Sequence, residues 1–438
     1  MPFIGILTQM RRSPISITLL AVLCATAPAQ SHEPVERLHA DGTPHEQYTV
    51  DTEGKRHGTY RCYDPPGVLV MQSVYRHGEL HGRCEQFWDS GKPKLRGNYR
   101  EGKLHGKVEH ITADGSRVRE VTYRKGIEHG RVRIRRDGKT ISKQTWSDGA
   151  LSDLDGLKPF SRSRDELRKA LASIDRKDPG PSATLKERRD ATLHRLMAYR
   201  YLCHVPHEGM SLVETWNDLC TAAAEVVHQN GELSHTPPQP PGMSDERYRQ
   251  GARGAGSSNL AGGGGMVRAI DSYMDDSDPS NIDRVGHRRW CLNPVLKKTG
   301  FGESGAYSAM WSFDSSGKRP RDVDIVMYPP PGFVPINYFG ARHAWSIAPL
   351  KGGTPKLESL QVAVFKLDAD YVVTGEALPI DHLGITASGQ GTGASIVFRP
   401  KGLRVTGDSR YLIEVRDAPR GKPRYRYLVE FCDAVKQR

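Results

Sequence analysis

The sequence predicts a multidomain α+β protein, with a row of β-hairpins in front, a middle part that mixes helices and strands, and a small β-sandwich at the C-terminal end. Three observations carry that prediction. A repeat of 24 residues runs through residues 51–150. Apolar positions at helical spacing begin at residue 185, and short runs that alternate apolar and polar residues fill 351–438. The length, 438 residues, is itself too great for one ordinary core and fits two to four domains.

The repeat is marked by Tyr75-Arg76-His77-Gly78, Tyr99-Arg100-Glu101-Gly102 and Tyr123-Arg124-Lys125-Gly126. Each is followed by a second glycine, Gly82, Gly106 or Gly130, with His81, His105 or His129 before it. Gly54 and His57-Gly58 open an earlier unit, and Trp146-Ser147-Asp148-Gly149 starts a broken last one. Asp-Gly pairs such as Asp114-Gly115 and Asp137-Gly138 add turn signals between strand-like runs, because glycine supplies the positive φ that tight turns need. The expected structure is a series of short antiparallel hairpins, each covering its neighbour's apolar edge. This pattern resembles MORN-type repeats in the variant form of bacterial proteins, which implies a scaffold for protein or membrane contacts and no catalysis. The His-Gly histidines are expected to be structural. They recur as part of the turn grammar, and no carboxylate recurs beside them as a metal partner.

The first residues predict export. Arg11 and Arg12 precede an apolar stretch, residues 15–27, and Ala27-Pro28-Ala29 offers a cleavage point, so 1–29 reads as a signal peptide. The stretch is too short to span a bilayer. Leu23 before Cys24 fits a lipoprotein signal poorly. Cleavage leaves cysteines at 62, 84, 203, 220, 291 and 432, an even number in a compartment that permits disulfides. Cys62 with Cys84 and Cys203 with Cys220 are the local pairings to test. Of the net charge of +12, residues 51–150 carry +8. In a secreted, periplasmic or surface protein, such a basic region is expected to meet an anionic envelope polymer, membrane lipid or protein rather than nucleic acid.

Residues 151–184 read as a linker with a helix over 161–177, broken by Asp178-Pro179-Gly180-Pro181. From Leu185, Leu193, Leu196, Met197 and Tyr201 share one helical face. A second helix, over 212–228, is expected to bury Leu212, Trp216, Leu219, Ala223 and Val226.

Then come Leu233-Ser234-His235, Ser258-Asn259-Leu260-Ala261, a helix around Tyr273, Gly286-His287-Arg288, Asn293-Pro294 and Gly300-Phe301-Gly302. In that order the pieces resemble the CAP (SCP-like) superfamily over residues 185–335. The resemblance implies a central α-β-α sandwich with a cavity lined by two histidines and two acidic residues, which in some members hold a divalent cation. Carried over by position, the cavity residues are His235, Asn259, Asp276 and His287, with His235, His287 and Asp276 as ligands for a cation such as zinc. Ser258 stands where the family commonly has Glu, which leaves the cavity less negative and removes a candidate general base.

Other chemistries lack anchors. Gly254-x-Gly256 is followed by Asn259 where a dinucleotide loop needs a small residue, so residues 251–265 are expected to form a flexible loop. The sequence has no G-x-S-x-G elbow and no H-E-x-x-H. The expected function is an exported envelope protein that binds a divalent metal, lipid or glycan in a His-lined cavity. The alternatives are a metal-assisted hydrolase of peptide or cell-wall material and a structural adhesin.

Overall fold

The computed structural model describes residues 32–65, 67–387, 389, 391–417 and 422–433. The expected signal peptide, residues 1–29, and Cys24 lie outside them. The expected fold class is corrected: strand outweighs helix, 38% against 21%, and the largest element is a twelve-stranded antiparallel sheet. The architecture is not an α-β-α sandwich. The chain divides into two compact units, one of residues 1–116 with 123–126 and the other of residues 117–122 with 127–438.

The strands between Glu33 and Leu154, expected as a row of short antiparallel hairpins, follow one another in a single antiparallel sheet. The short strand Lys103–Leu104 pairs only with Pro93–Arg100. Register explains the period. Gly58 lies opposite Tyr75, Gly82 opposite Tyr99 and Gly130 opposite Trp146, so these His-Gly glycines face the aromatic that heads the next unit. Gly58 has φ +87, and a Cβ there would lie 2.9 Å from Thr49 Oγ1, so neither the backbone nor the space admits a larger residue. The first unit buries little: Glu46, Tyr60, Ser73, Cys84, Leu95 and Val108 give one buried residue to each of six strands. That narrow row is a thin core.

The second unit holds six helices among the described residues: α1 (Arg164–Ile174), α2 (Leu185–Leu202), α3 (Glu214–Asn230), α4 (Asp245–Gly256), α5 (Gly265–Asp275) and α6 (Gly286–Cys291). The segment read as a linker is built in. Leu167 and Leu171 of α1 join the main core with Leu196, Tyr199, Trp345, Phe398 and Phe431. Ser163 and Thr184 cap α1 and α2 with complete capping boxes, Ser163 with Glu166 and Thr184 with Glu187. The expected second helix starts two residues late, because Leu212 pairs in a short parallel ladder with Thr299.

The glycine run is divided between helix, up to Gly256, and strand, Ser258–Gly262, rather than being a loop. Gly251 and Gly254 lie in α4, where a Cβ on Gly254 would come within 2.1 Å of the Leu219 carbonyl oxygen. Glycine lets the α4 backbone lie directly on α3. Gly302 serves the same purpose on the sheet: its Cβ would sit 2.1 Å from the Thr221 backbone nitrogen of α3. The sheet under α3 has three strands, Ser258–Gly262, Tyr307–Trp311 and Phe301–Ser304 in that order.

No boundary falls near residue 351. Ile325–Tyr328 and Trp345–Pro349 share a four-stranded sheet with Ile396–Pro400 and Ile380–Ile385. Gly332–Pro335 pairs in parallel with Tyr425–Cys432, which continues to Arg410–Arg416 and Gln361–Leu367. The expected small β-sandwich of 351–438 is therefore not self-contained. The six cysteines from 62 to 432 are all free thiols, so neither expected disulfide forms; Cys203 and Cys220 are each buried in a different core cluster. No described helix is long and apolar enough to cross a membrane.

Candidate functional site

Two groups of histidines stand out, one in each unit. In the second unit a cavity of about 370 Å³ is lined by His235, Ser258, Asn259 and His287, together with Asn281, Arg284, Trp290, Ser312, Phe313 and Gly389. His235 follows α3, which ends on Gly231 in the left-handed conformation that turns the chain. Its Nδ1 lies 2.8 Å from the Ala255 carbonyl oxygen, which fixes the ring against the end of α4 and leaves Nε2 for a ligand.

His287 is held more firmly. Its Nδ1 lies 2.8 Å from Asp276 Oδ1, and Tyr273 stacks on its ring at 5.4 Å between centroids. The Tyr273 hydroxyl donates to the Asn259 carbonyl at 2.9 Å, and Asn259 Nδ2 donates to the His287 carbonyl at 3.0 Å. These bonds close a ring of contacts that sets the position of the imidazole. Behind them Arg288, buried, donates to the carbonyls of Met274, Asp275 and Ala344 and so ties α6 to the end of α5.

The structure thus brings His235, Asn259 and His287 to one cavity wall and sets Asp276 behind His287. The Asp276 side chain is 1% exposed; its Oδ1 faces the ring and its Oδ2 accepts the Arg288 N–H at 3.3 Å. With both oxygens engaged, Asp276 orients an imidazole. Asp276 itself, at φ 45°, and Val285, at φ 40°, adopt left-handed backbone conformations without being glycine. For a β-branched residue such as Val285 that conformation is strained, and strain of this kind gathers at functional sites.

Sequence reasoning missed Asn281, Arg284, Trp290, Ser312, Phe313 and Gly389. Trp290 lies three residues after His287, and helical spacing would have put it beside that histidine. Gly389 had no signal, because it lies 102 residues beyond His287 in the segment assigned to another domain. Its loop is pressed onto α6: a Cβ on Gly391 would lie 2.0 Å from the Arg289 carbonyl oxygen.

In the first unit, Asp51, His57 and His77 bring ligand atoms within 4.8 Å of one another, and this group could hold a metal ion. Among the described residues no other group of three His, Cys, Asp or Glu side chains converges so closely, His235, His287 and Asp276 included. Of the repeat histidines expected to be structural, His57 stands in this group. His77 Nδ1 lies 3.0 Å and His57 Nδ1 4.0 Å from Asp51 Oδ2. Burial on its own would raise the Asp51 carboxyl, but the Lys55 N–H and the His77 ring outweigh it and hold the group below its usual range. Burial, then the neighbouring His32 and His77 rings, push the His57 imidazole down. The carboxylate is ionised and His57 neutral near pH 7, the states in which both bind metals.

The chain matches no protein-family model and no curated protein.

Proposed function

We propose that this chain is an exported binding protein of the cell envelope whose His-lined cavity takes a short acidic glycan. The observation that carries this reading is the cavity wall. Trp290 and Phe313 form an aromatic pair 4.8 Å apart, beside two fixed imidazoles and the side chains of Asn281, Arg284 and Ser312. Sugar rings stack their C–H faces on aromatic rings, their hydroxyls need donors and acceptors in alternation, and a guanidinium favours a carboxylate substituent. A lipid chain would call for an apolar lining. The volume lies within the roughly 300–1,000 Å³ of small-ligand sites. The basic repeat region suits contact with anionic envelope polymers on the same side of the membrane. The cofactor of this reading is a divalent cation such as zinc.

Calorimetric titration with a tetrasaccharide of alternating N-acetylglucosamine and N-acetylmuramic acid tests the reading. Binding should be measurable in the full chain and about tenfold weaker in Trp290→Ala. Absence of heat from this glycan, with saturable binding of phospholipid vesicles, would replace it with a lipid site.

The Asp276–His287 pair supports a second reading, in which His287 Nε2 takes a proton from water and the bound glycan or peptide is hydrolysed. The expected metal-assisted form needs Asp276 as a ligand, yet both its oxygens are hydrogen-bonded. Turnover of the tetrasaccharide that disappears in His287→Ala would favour this reading over simple binding. Intact tetrasaccharide after prolonged incubation would reject it.

A further inference from the structure

We infer that Asp51, His57 and His77 form a site for a borderline transition cation of the zinc class, bound through two imidazole nitrogens and one carboxylate oxygen and open to solvent on the His77 side. This deepens the divalent-cation part of the functional reading and stands apart from its glycan part. Tetrahedral coordination at bond lengths of about 2.0–2.1 Å places ligand atoms about 3.3 Å from one another. The separations here, 3.0 and 4.0 Å from Asp51 Oδ2, bracket that spacing.

The site is built in advance. Asp51 Oδ1 accepts the backbone N–H groups of Glu53 and Lys55, each at 3.0 Å, so the turn after Asp51 fixes the carboxylate and leaves Oδ2 toward the rings. The Asp51 side chain is 5% exposed, while that of His77 is 54% exposed. His57 Nδ1 is shut off from solvent and makes no hydrogen bond. A buried ring nitrogen with no partner costs free energy, and a cation would satisfy it. His32 lies beside the cluster, its ring 4.6 Å from that of His57. Imidazole-rich sites select zinc, nickel or copper, whereas magnesium and calcium need oxygen ligands.

The repeat supplies its own comparison. The two positions filled by His57 and His77 are filled in later units by His81 and Glu101, His105 and Lys125, and His129 and Asp148. Only the first unit pairs two imidazoles, and only it has Asp51 next to them. A general structural need for histidine in the turn would not concentrate three ligands in one unit.

Zinc titration of the full chain by calorimetry, in parallel with three double variants, tests the inference. One equivalent should bind the wild type, be lost from His57→Gln/His77→Asn, and be kept by His81→Gln/His105→Gln and His235→Ala/His287→Ala. Asparagine tolerates the left-handed conformation of residue 77 (φ 48°), which protects the turn. Crystals of the wild type soaked in zinc give a readout without substitution: an anomalous peak should lie among the three side chains. Zinc that survives in His57→Gln/His77→Asn, or a peak elsewhere, would overturn this site while leaving a divalent cation in the functional reading. No bound zinc in the wild type would overturn both.

Discussion

The two histidine sites arise from opposite building methods. In the repeat unit, the strand Arg56–Tyr63 and its neighbouring turns deliver Asp51, His57 and His77 from within 27 consecutive residues. In the second unit, His235, His287 and the wall around them come from positions spread between 235 and 389. The local site has converging ligand atoms and a thin core beneath it. The long-range site has fixed rings, a carboxylate committed to orientation, and a large core. A short stretch of chain can gather ligands for an ion, while a shaped cavity needs distant segments packed against one another.

The largest test of that contrast is a glycine exchange in each unit. Gly302→Val drives a side chain into the α3 backbone and should cost about 3 kcal/mol or more in urea unfolding, with loss of glycan binding. Gly115→Ala meets open space and only the left-handed backbone at φ +80, so it should cost about 1 kcal/mol. Equal costs would remove the distinction between a packed and an open framework.

Acidification should reach the second unit through His343. Burial pushes this imidazole down to about 4, against the opposing pull of Asp275. The unfolded chain therefore binds a proton that the folded chain refuses between about pH 6.5 and 4. Stability from this group is full above pH 6.5 and falls as the pH drops through that window, by on the order of 3 kcal/mol. His343→Gln should flatten the dependence in pH-resolved urea unfolding; an unchanged slope would assign it to other groups.

Asp276→Asn removes the negative acceptor of the His287 Nδ1 bond and should weaken glycan binding about tenfold to a hundredfold by calorimetry. Asp51→Asn should leave glycan affinity within about twofold and abolish zinc binding. The smallest effect belongs to His77→Asn without metal, at an exposed turn, where unfolding free energy should move by less than about 0.5 kcal/mol. A larger loss would make His77 a structural residue first.

The sequence displayed its local features more readily than its long-range ones. The turn glycines of the repeat were legible because glycine at positive φ leaves a period, and strands such as Tyr425–Cys432 were legible from apolar residues bounded by turns. That the repeat makes one sheet was not legible, since a period fixes turns but not how many neighbours pair. Gly251 and Gly254 read as loop because their reason is helix contact with the Leu219 and Ala222 carbonyls, which local propensity does not contain. His235 and His287 were found as residues, and Asp276 was found with the wrong geometry: sequence places a carboxylate near a histidine without saying which face it takes. His57 and His77 were passed over because their partner, Asp51, lies outside the repeated pattern.

One measurement bears most directly on the claim that the chain carries two separate histidine sites. Zinc and the tetrasaccharide are each titrated into His57→Gln/His77→Asn and into His235→Ala/His287→Ala. The first variant should lose zinc and keep the glycan, and the second should lose the glycan and keep zinc. If one variant loses both ligands while still folded, or neither variant loses either, the account of two sites is wrong.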